Sequence, residues 1–136
     1  MTRQIEFFLR EYPSGFHIIT DTVVDKIGIL PENGILNLFI KHTSAGLAIN
    51  ENADPTVLAD FKSFFGDWIP ERYSKFLHTY EGPDDMPAHI KASVVGQSLT
   101  IPITNHRLNL GIWQGIYLCE FRRDGGNRKL VATIIS

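Results

Sequence analysis

Three of the five histidines in this chain stand in polar segments: His42 ahead of Thr43-Ser44, His78 shortly before Glu81, and His89 after Asp84-Asp85. Neutral imidazole is the commonest protein ligand for zinc-like ions, and His42, His78 and His89 with a water or substrate oxygen would form an open catalytic site. Their separations, 36 and 11 residues, match neither a two-histidine helix motif nor a zinc finger, so three hydrogen-bonded boundary residues remain the alternative. Glu51, Asp54, Glu81, Asp84 and Asp85 add hard oxygen donors of the kind that hold Mg²⁺ together with a substrate phosphate. Asp54 also reads as a helix cap before Pro55, and one of Asp84 and Asp85 as a cap for a helix opened by Pro87. Glu81, in a Gly-Pro loop, has no structural job of that kind and is a candidate catalytic group. Lys91 falls early in the same helix, where the dipole disfavours a cation unless an anion binds at the helix N-terminus; a solvated lysine is the plain alternative. Trp113, beside Gln114 and after a glycine turn, either packs one end of the sheet or walls a pocket. Ser44 lacks a Gly-x-Ser-x-Gly elbow and is not read as a nucleophile, and Cys119 reads as an inert core thiol.

The elements that must position these groups follow from periodicity and turn chemistry. Strands are predicted over Gln4–Leu9, Phe16–Ile19, Gly34–Ile40, Gly46–Ile49, Ser98–Ile103, Ile112–Arg122 and Lys129–Ile135, with turns at Asn105–Gly111 and Asp124–Asn127. A short amphipathic helix fits residues 21–29. A second starts at Asp54-Pro55 and carries Val57, Leu58, Phe61, Phe64, Phe65 and Trp68 as one wide apolar stripe. Residues 69–87 read as a long loop, and Pro87 opens a third helix, Ala88–Val95, ended by Gly96. Strands dominate without βαβ alternation, which predicts a single β-rich α+β domain over residues 1–136, largely antiparallel, with about three short helices.

Composition narrows the function classes. With 136 residues, 43% apolar and 21% charged, the chain suits one globular domain. A net charge of -2 gives no field for a polyanion, so nucleic acid is not an expected partner. No apolar run is long enough to span a membrane, the start does not read as a secretory signal, and a lone cysteine builds no disulfide framework; the cytoplasm is the expected location.

Four separated blocks then carry a resemblance across nearly the whole chain: His42-Thr43-Ser44-Ala45; Asn50-Glu51-Asn52-Ala53-Asp54-Pro55; His78-Thr79-Tyr80-Glu81-Gly82 leading to Met86-Pro87-Ala88-His89-Ile90-Lys91-Ala92-Ser93; and Leu110-Gly111-Ile112-Trp113-Gln114. Together they resemble the YjbQ-like family, often labelled secondary thiamine-phosphate synthase; the family usually carries Thr where this chain has Ile112. The resemblance implies a compact β-rich α+β fold, a homotrimer, and a weak thiamine-phosphate synthase activity in which thiazole phosphate is joined to hydroxymethylpyrimidine diphosphate. It also implies that His42, His78 and His89 are site residues binding a divalent metal, Mg²⁺ or Zn²⁺. On that reading Glu81 and Glu51 serve as metal or base groups, Lys91 neutralises phosphate and Trp113 stacks on a heterocycle. The competing expectations are a metal-dependent hydrolase of a small substrate and a non-catalytic module for a small phosphorylated or anionic metabolite.

Overall fold

The computed structural model describes Met1–Ser136. The elements in chain order are β1 (Thr2–Phe8), β2 (Gly15–Ile18), α1 (Thr20–Ile27), β3 (Asn33–Ile40), β4 (Ala45–Glu51), α2 (Pro55–Trp68), α3 (Asp85–Val95), β5 (Ser98–Thr104), β6 (Arg107–Leu108), β7 (Gln114–Glu120) and β8 (Lys129–Ile135). They form two antiparallel sheets, a five-stranded one in the order β1-β8-β3-β5-β6 and a three-stranded one in the order β2-β7-β4.

Layering follows from which faces are apolar. Leu36, Leu38, Ile101, Leu130, Ala132 and Ile134 of the larger sheet pack against Leu47, Ile116 and Leu118 of the smaller one, with Val23 and Ile27 of α1 completing this core. The smaller sheet has a second buried face. Phe16, Tyr117, Cys119 and Phe121 meet Ala88 and Ala92 of α3, with Phe61 and Phe65 of α2 packed against them. A strand covered on both faces needs apolar residues in succession rather than in alternation, which is why Ile116-Tyr117-Leu118-Cys119 is continuous.

Local chemistry sets the helix positions. Asp54 accepts from the Thr56 N–H at 2.9 Å and caps α2, as Asp54-Pro55 predicts. At the end of α3 the Gly96 carbonyl accepts from Leu47 N–H at 3.0 Å, and a Cβ on Gly46 would stand 2.7 Å from that oxygen. Glycine at 46 therefore lets α3 lie directly on β4.

Three expectations are corrected. The third helix begins at Asp85 rather than after Pro87; Pro87 sits within the first turn, where its missing N–H has no intrahelical acceptor to serve. The segment read as a turn after Thr104 contains β6, because Asn105 and His106 both take positive φ (51° and 64°) and close a two-residue hairpin. Ile112 and Trp113 lie before β7 in a turn closed by Gln114, whose N–H donates to the Gly111 carbonyl and whose Oε1 accepts from the Gly111 N–H. No helix is long and apolar enough to cross a membrane.

Candidate metal centre

The early start of α3 decides the site. Because Asp85 is helical, His89 lies one turn on along the same face, and the loop before α3 brings His78 to the same carboxylate. Asp85 Oδ2 stands 2.7 Å from His78 Nε2 and 3.1 Å from His89 Nε2, and the ring centroids are 5.3 Å apart. One ligand atom from each of the three residues falls within 4.8 Å of the others. Ligands on a tetrahedral zinc sit roughly 3.3 Å apart, so an ion would be accommodated by small side-chain adjustments.

The carboxylate is held from behind. Arg122 Nη1 donates to Asp85 Oδ1 at 2.7 Å, Arg122 Nε donates to Asp84 Oδ2 at 3.1 Å, and Arg123 N–H donates to Asp84 Oδ2 at 3.0 Å. Asp84, expected as a cap, stands at the N-cap position of α3 without capping it, because Arg122 and Arg123 occupy its oxygens. Burial alone would raise the Asp85 pKa, but the hydrogen bond from His78 and the charges of His89 and Arg122 outweigh it and hold the carboxyl below its ordinary range. Asp85 is 2% exposed, yet its Oδ2 edge faces the two partly open imidazoles.

The proton positions on His89 follow from its partners. Its Nδ1 lies 2.9 Å from the Thr43 carbonyl, which can only accept, so Nδ1 carries a proton. In the neutral ring Nε2 then bears a lone pair aimed at a carboxylate oxygen. Two acceptors in that contact repel unless a proton or a metal ion lies between them, and a carbonyl fixing the far nitrogen is the usual support of a metal-ligating histidine.

The other candidates are distributed differently. His42 is not part of the group: its Nε2 accepts from the Lys129 N–H at 2.8 Å, so in the neutral ring Nδ1 carries the proton and offers a donor instead of a ligand lone pair. Burial, helped by the Arg128 charge, holds its pKa below the ordinary histidine value. It still borders a hollow of about 390 Å³ with Thr43, His89, Ser93 and Gln97. Glu81 stays near the centre, its carbonyl accepting from Arg122 Nη2 at 3.2 Å while its side chain is exposed. Glu51 and Trp113 do not. Glu51 ends β4, whose other end adjoins Ser44, and seven extended residues put about 20 Å between those ends. Glu51 Oε2 accepts from the Asp54 N–H, and Trp113 is 64% exposed at its turn. Lys91, two residues beyond His89, projects from nearly the opposite side of α3.

No motif in the sequence singles out Arg122, and the sequence marks Asp85 as a cap or an Mg²⁺ donor. The Asp85-x-x-x-His89 spacing is the signal for that pair, but it becomes visible only once the helix starts before Pro87.

The family model described as UPF0047 protein YjbQ-like matches residues 5–136 of the chain. UPF0047 protein YjbQ of Salmonella typhimurium is 52% identical over 128 residues, covering 93% of this chain and 92% of the relative. The protein of the same description from Escherichia coli O157:H7 is 45% identical, covering 88% of each. Among solved structures, an uncharacterised YjbQ/UPF0047 protein of Clostridium acetobutylicum superposes with a TM-score of 0.82 at 39% identity, over 96% of this chain and 99% of that one. A protein of unknown function from Sulfolobus solfataricus has the same fold, with a TM-score of 0.85 at 22% identity over 98% and 96% of the two chains.

Proposed function

The chain belongs to the UPF0047 YjbQ-like family, and from that premise and the His78–Asp85–His89 group we propose a metal-dependent enzyme acting on a small phosphorylated substrate, of thiamine-phosphate synthase type. The observation that supports the metal is the contact between His89 Nε2 and Asp85 Oδ2, on a ring whose other nitrogen is committed to a carbonyl. A divalent ion held by His78, Asp85 and His89 would supply charge neutralisation to a phosphate or departing diphosphate. Arg122 fixes the carboxylate and Thr43 fixes the imidazole, so both hold their orientation as ligand arrives. The adjoining hollow has the size of a metabolite site, and His42 Nδ1–H, Thr43, Ser93 and Gln97 give it polar partners. Glu81, whose backbone carbonyl is held by Arg122 beside the centre, is the candidate base.

Glu51 and Trp113 join such a site only from a second copy of the chain. The homotrimer implied by the resemblance would allow this, and Leu77 and Tyr80, 98% and 99% exposed, are apolar surface available to such an interface. Cys119 is buried and unpaired, which suits the reducing cytoplasm where we place the protein.

Chelator-treated protein reconstituted with Mg²⁺, Mn²⁺ or Zn²⁺ should join thiazole phosphate to hydroxymethylpyrimidine diphosphate with release of diphosphate, and Asp85→Asn should abolish the reaction. Full turnover without metal, or in Asp85→Asn, would reject the proposal. A specific observation favours a second reading: two imidazoles and one carboxylate form a zinc-type donor set rather than the all-oxygen set preferred by Mg²⁺. Zinc-dependent phosphate release from a single substrate, without coupling, would identify a hydrolase. Tight binding of these substrates without conversion of any would leave the small-anion module.

A further inference from the structure

A second hollow, of about 370 Å³, opens between α2 and α3 on the side of α3 away from His89, with Lys62, Lys91 and Arg123 among the residues around it and Phe16, Phe65 and Phe121 lining it. The charges do not balance. Arg123 is paired with Glu71, and Glu120, which also borders the hollow, is neutralised within the fold by Arg128. Lys62, which is exposed, and the half-buried Lys91 take part in no ion pair and no side-chain hydrogen bond, which leaves two ammonium groups at the hollow free to take an anion.

Lys91 is not a solvated surface lysine. It is half-buried, with its ammonium 5.9 Å from the centre of the Phe121 ring. A half-buried ammonium that no carboxylate contacts directly gains a charge-assisted partner when an anion enters beside it. Phe16 and Phe121 are core residues, 7% and 6% exposed, and the partly open Phe65 ring offers the apolar surface beside that anion.

We infer that the Lys62–Lys91–Arg123 hollow is a binding site, separate from the imidazole–carboxylate centre, for a phosphate monoester whose dianionic head is carried on a flat apolar body. Two unpaired ammonium groups match a dianion, and the partly open Phe65 ring receives the body. The inference does not depend on the metal reading, since none of the metal-centre side chains takes part.

The test uses purified full-length protein and calorimetric titration with phenyl phosphate and, separately, inorganic phosphate. Phenyl phosphate should bind more tightly than inorganic phosphate. Lys91→Gln and Lys62→Gln should each weaken phenyl phosphate binding about tenfold, the loss expected from one charge-assisted contact, with thermal stability checked in parallel. His89→Ala should leave this binding unchanged. Failure of phenyl phosphate to bind, equal affinity for both anions, or weakening by His89→Ala but by neither lysine substitution would overturn the inference. A failed enzymatic proposal with these results intact would leave the anion site standing.

Discussion

Two ionic clusters meet at the end of β7, and they are built for different purposes. Glu120 and Arg128 form a sealed pair, 0% and 5% exposed. Arg128 Nε donates to Glu120 Oε1 at 2.7 Å, and Arg128 Nη2 donates to Ser44 Oγ at 2.9 Å. Two residues along, Arg122 N–H donates to Glu120 Oε2, and the Arg122 guanidinium reaches the other way to Asp84 and Asp85. There the carboxylate edge faces imidazoles that are partly open to solvent. Buried ionic groups that are fully partnered make a rigid element with nothing left to bind. In the second cluster the His89–Asp85 contact is held by whatever proton or cation lies between the two groups, which gives it a capacity for chemistry. The buried Ser44 hydroxyl, engaged by Arg128, belongs to the first cluster, in keeping with its rejection as a nucleophile.

Breaking the sealed pair should give the largest effect. Arg128→Met leaves Glu120 buried without its counter-charge, so stability should fall by about 3–5 kcal/mol and the melting temperature by roughly 10–20 °C in calorimetry. An unchanged melting temperature would remove the contrast between the clusters. Arg122→Gln should act mainly on function, reducing metal affinity by about 10–100-fold because Asp85 loses its support; competition titration measures it, and undiminished affinity would show that Asp85 needs no anchor.

Acid should sharpen the comparison further. The folded pKa of His42 is lowered by burial, so the unfolded chain takes up that proton first as pH falls. Its contribution is complete above about pH 6.5 and is lost as pH falls through the folded value. His42→Gln should therefore flatten part of the decline in melting temperature between pH 7 and pH 5, with His17, also lowered by burial, supplying another part. Asp85, likewise held low, contributes stability that is present above about pH 4 and lost at more acid pH, so Asp85→Asn should flatten that lower limb. The smallest signal concerns Cys119. Burial pushes this thiol well above its ordinary pKa, and a maleimide should label it only as fast as the protein unfolds.

The elements were legible where local rules and packing agree. Asp54-Pro55 and the spaced apolar residues identify α2, although Phe64 and Trp68 of that stripe remain exposed because only its Phe61–Phe65 side meets the small sheet. The start of α3 was not legible, since Pro87 is compatible with several early helical positions and only the Arg122 contacts to Asp84 and Asp85 show where the turn begins. That placement governs the site: with Asp85 inside the helix, His78 and His89 converge on one carboxylate and His42 is left to its backbone partner. Nor does spacing reveal that Lys91 turns away from His89 toward a hollow shared with Lys62, because α2 and α3 are brought together only by the aromatic layer between them.

Zinc titration of chelator-treated protein, followed by anomalous diffraction from the loaded crystals, tests the metal centre most directly. A single ion should lie between His78, Asp85 and His89, disappear in a folded His89→Ala variant, and persist in His42→Ala. Unchanged zinc stoichiometry in His89→Ala, or anomalous signal only at His42, would contradict it.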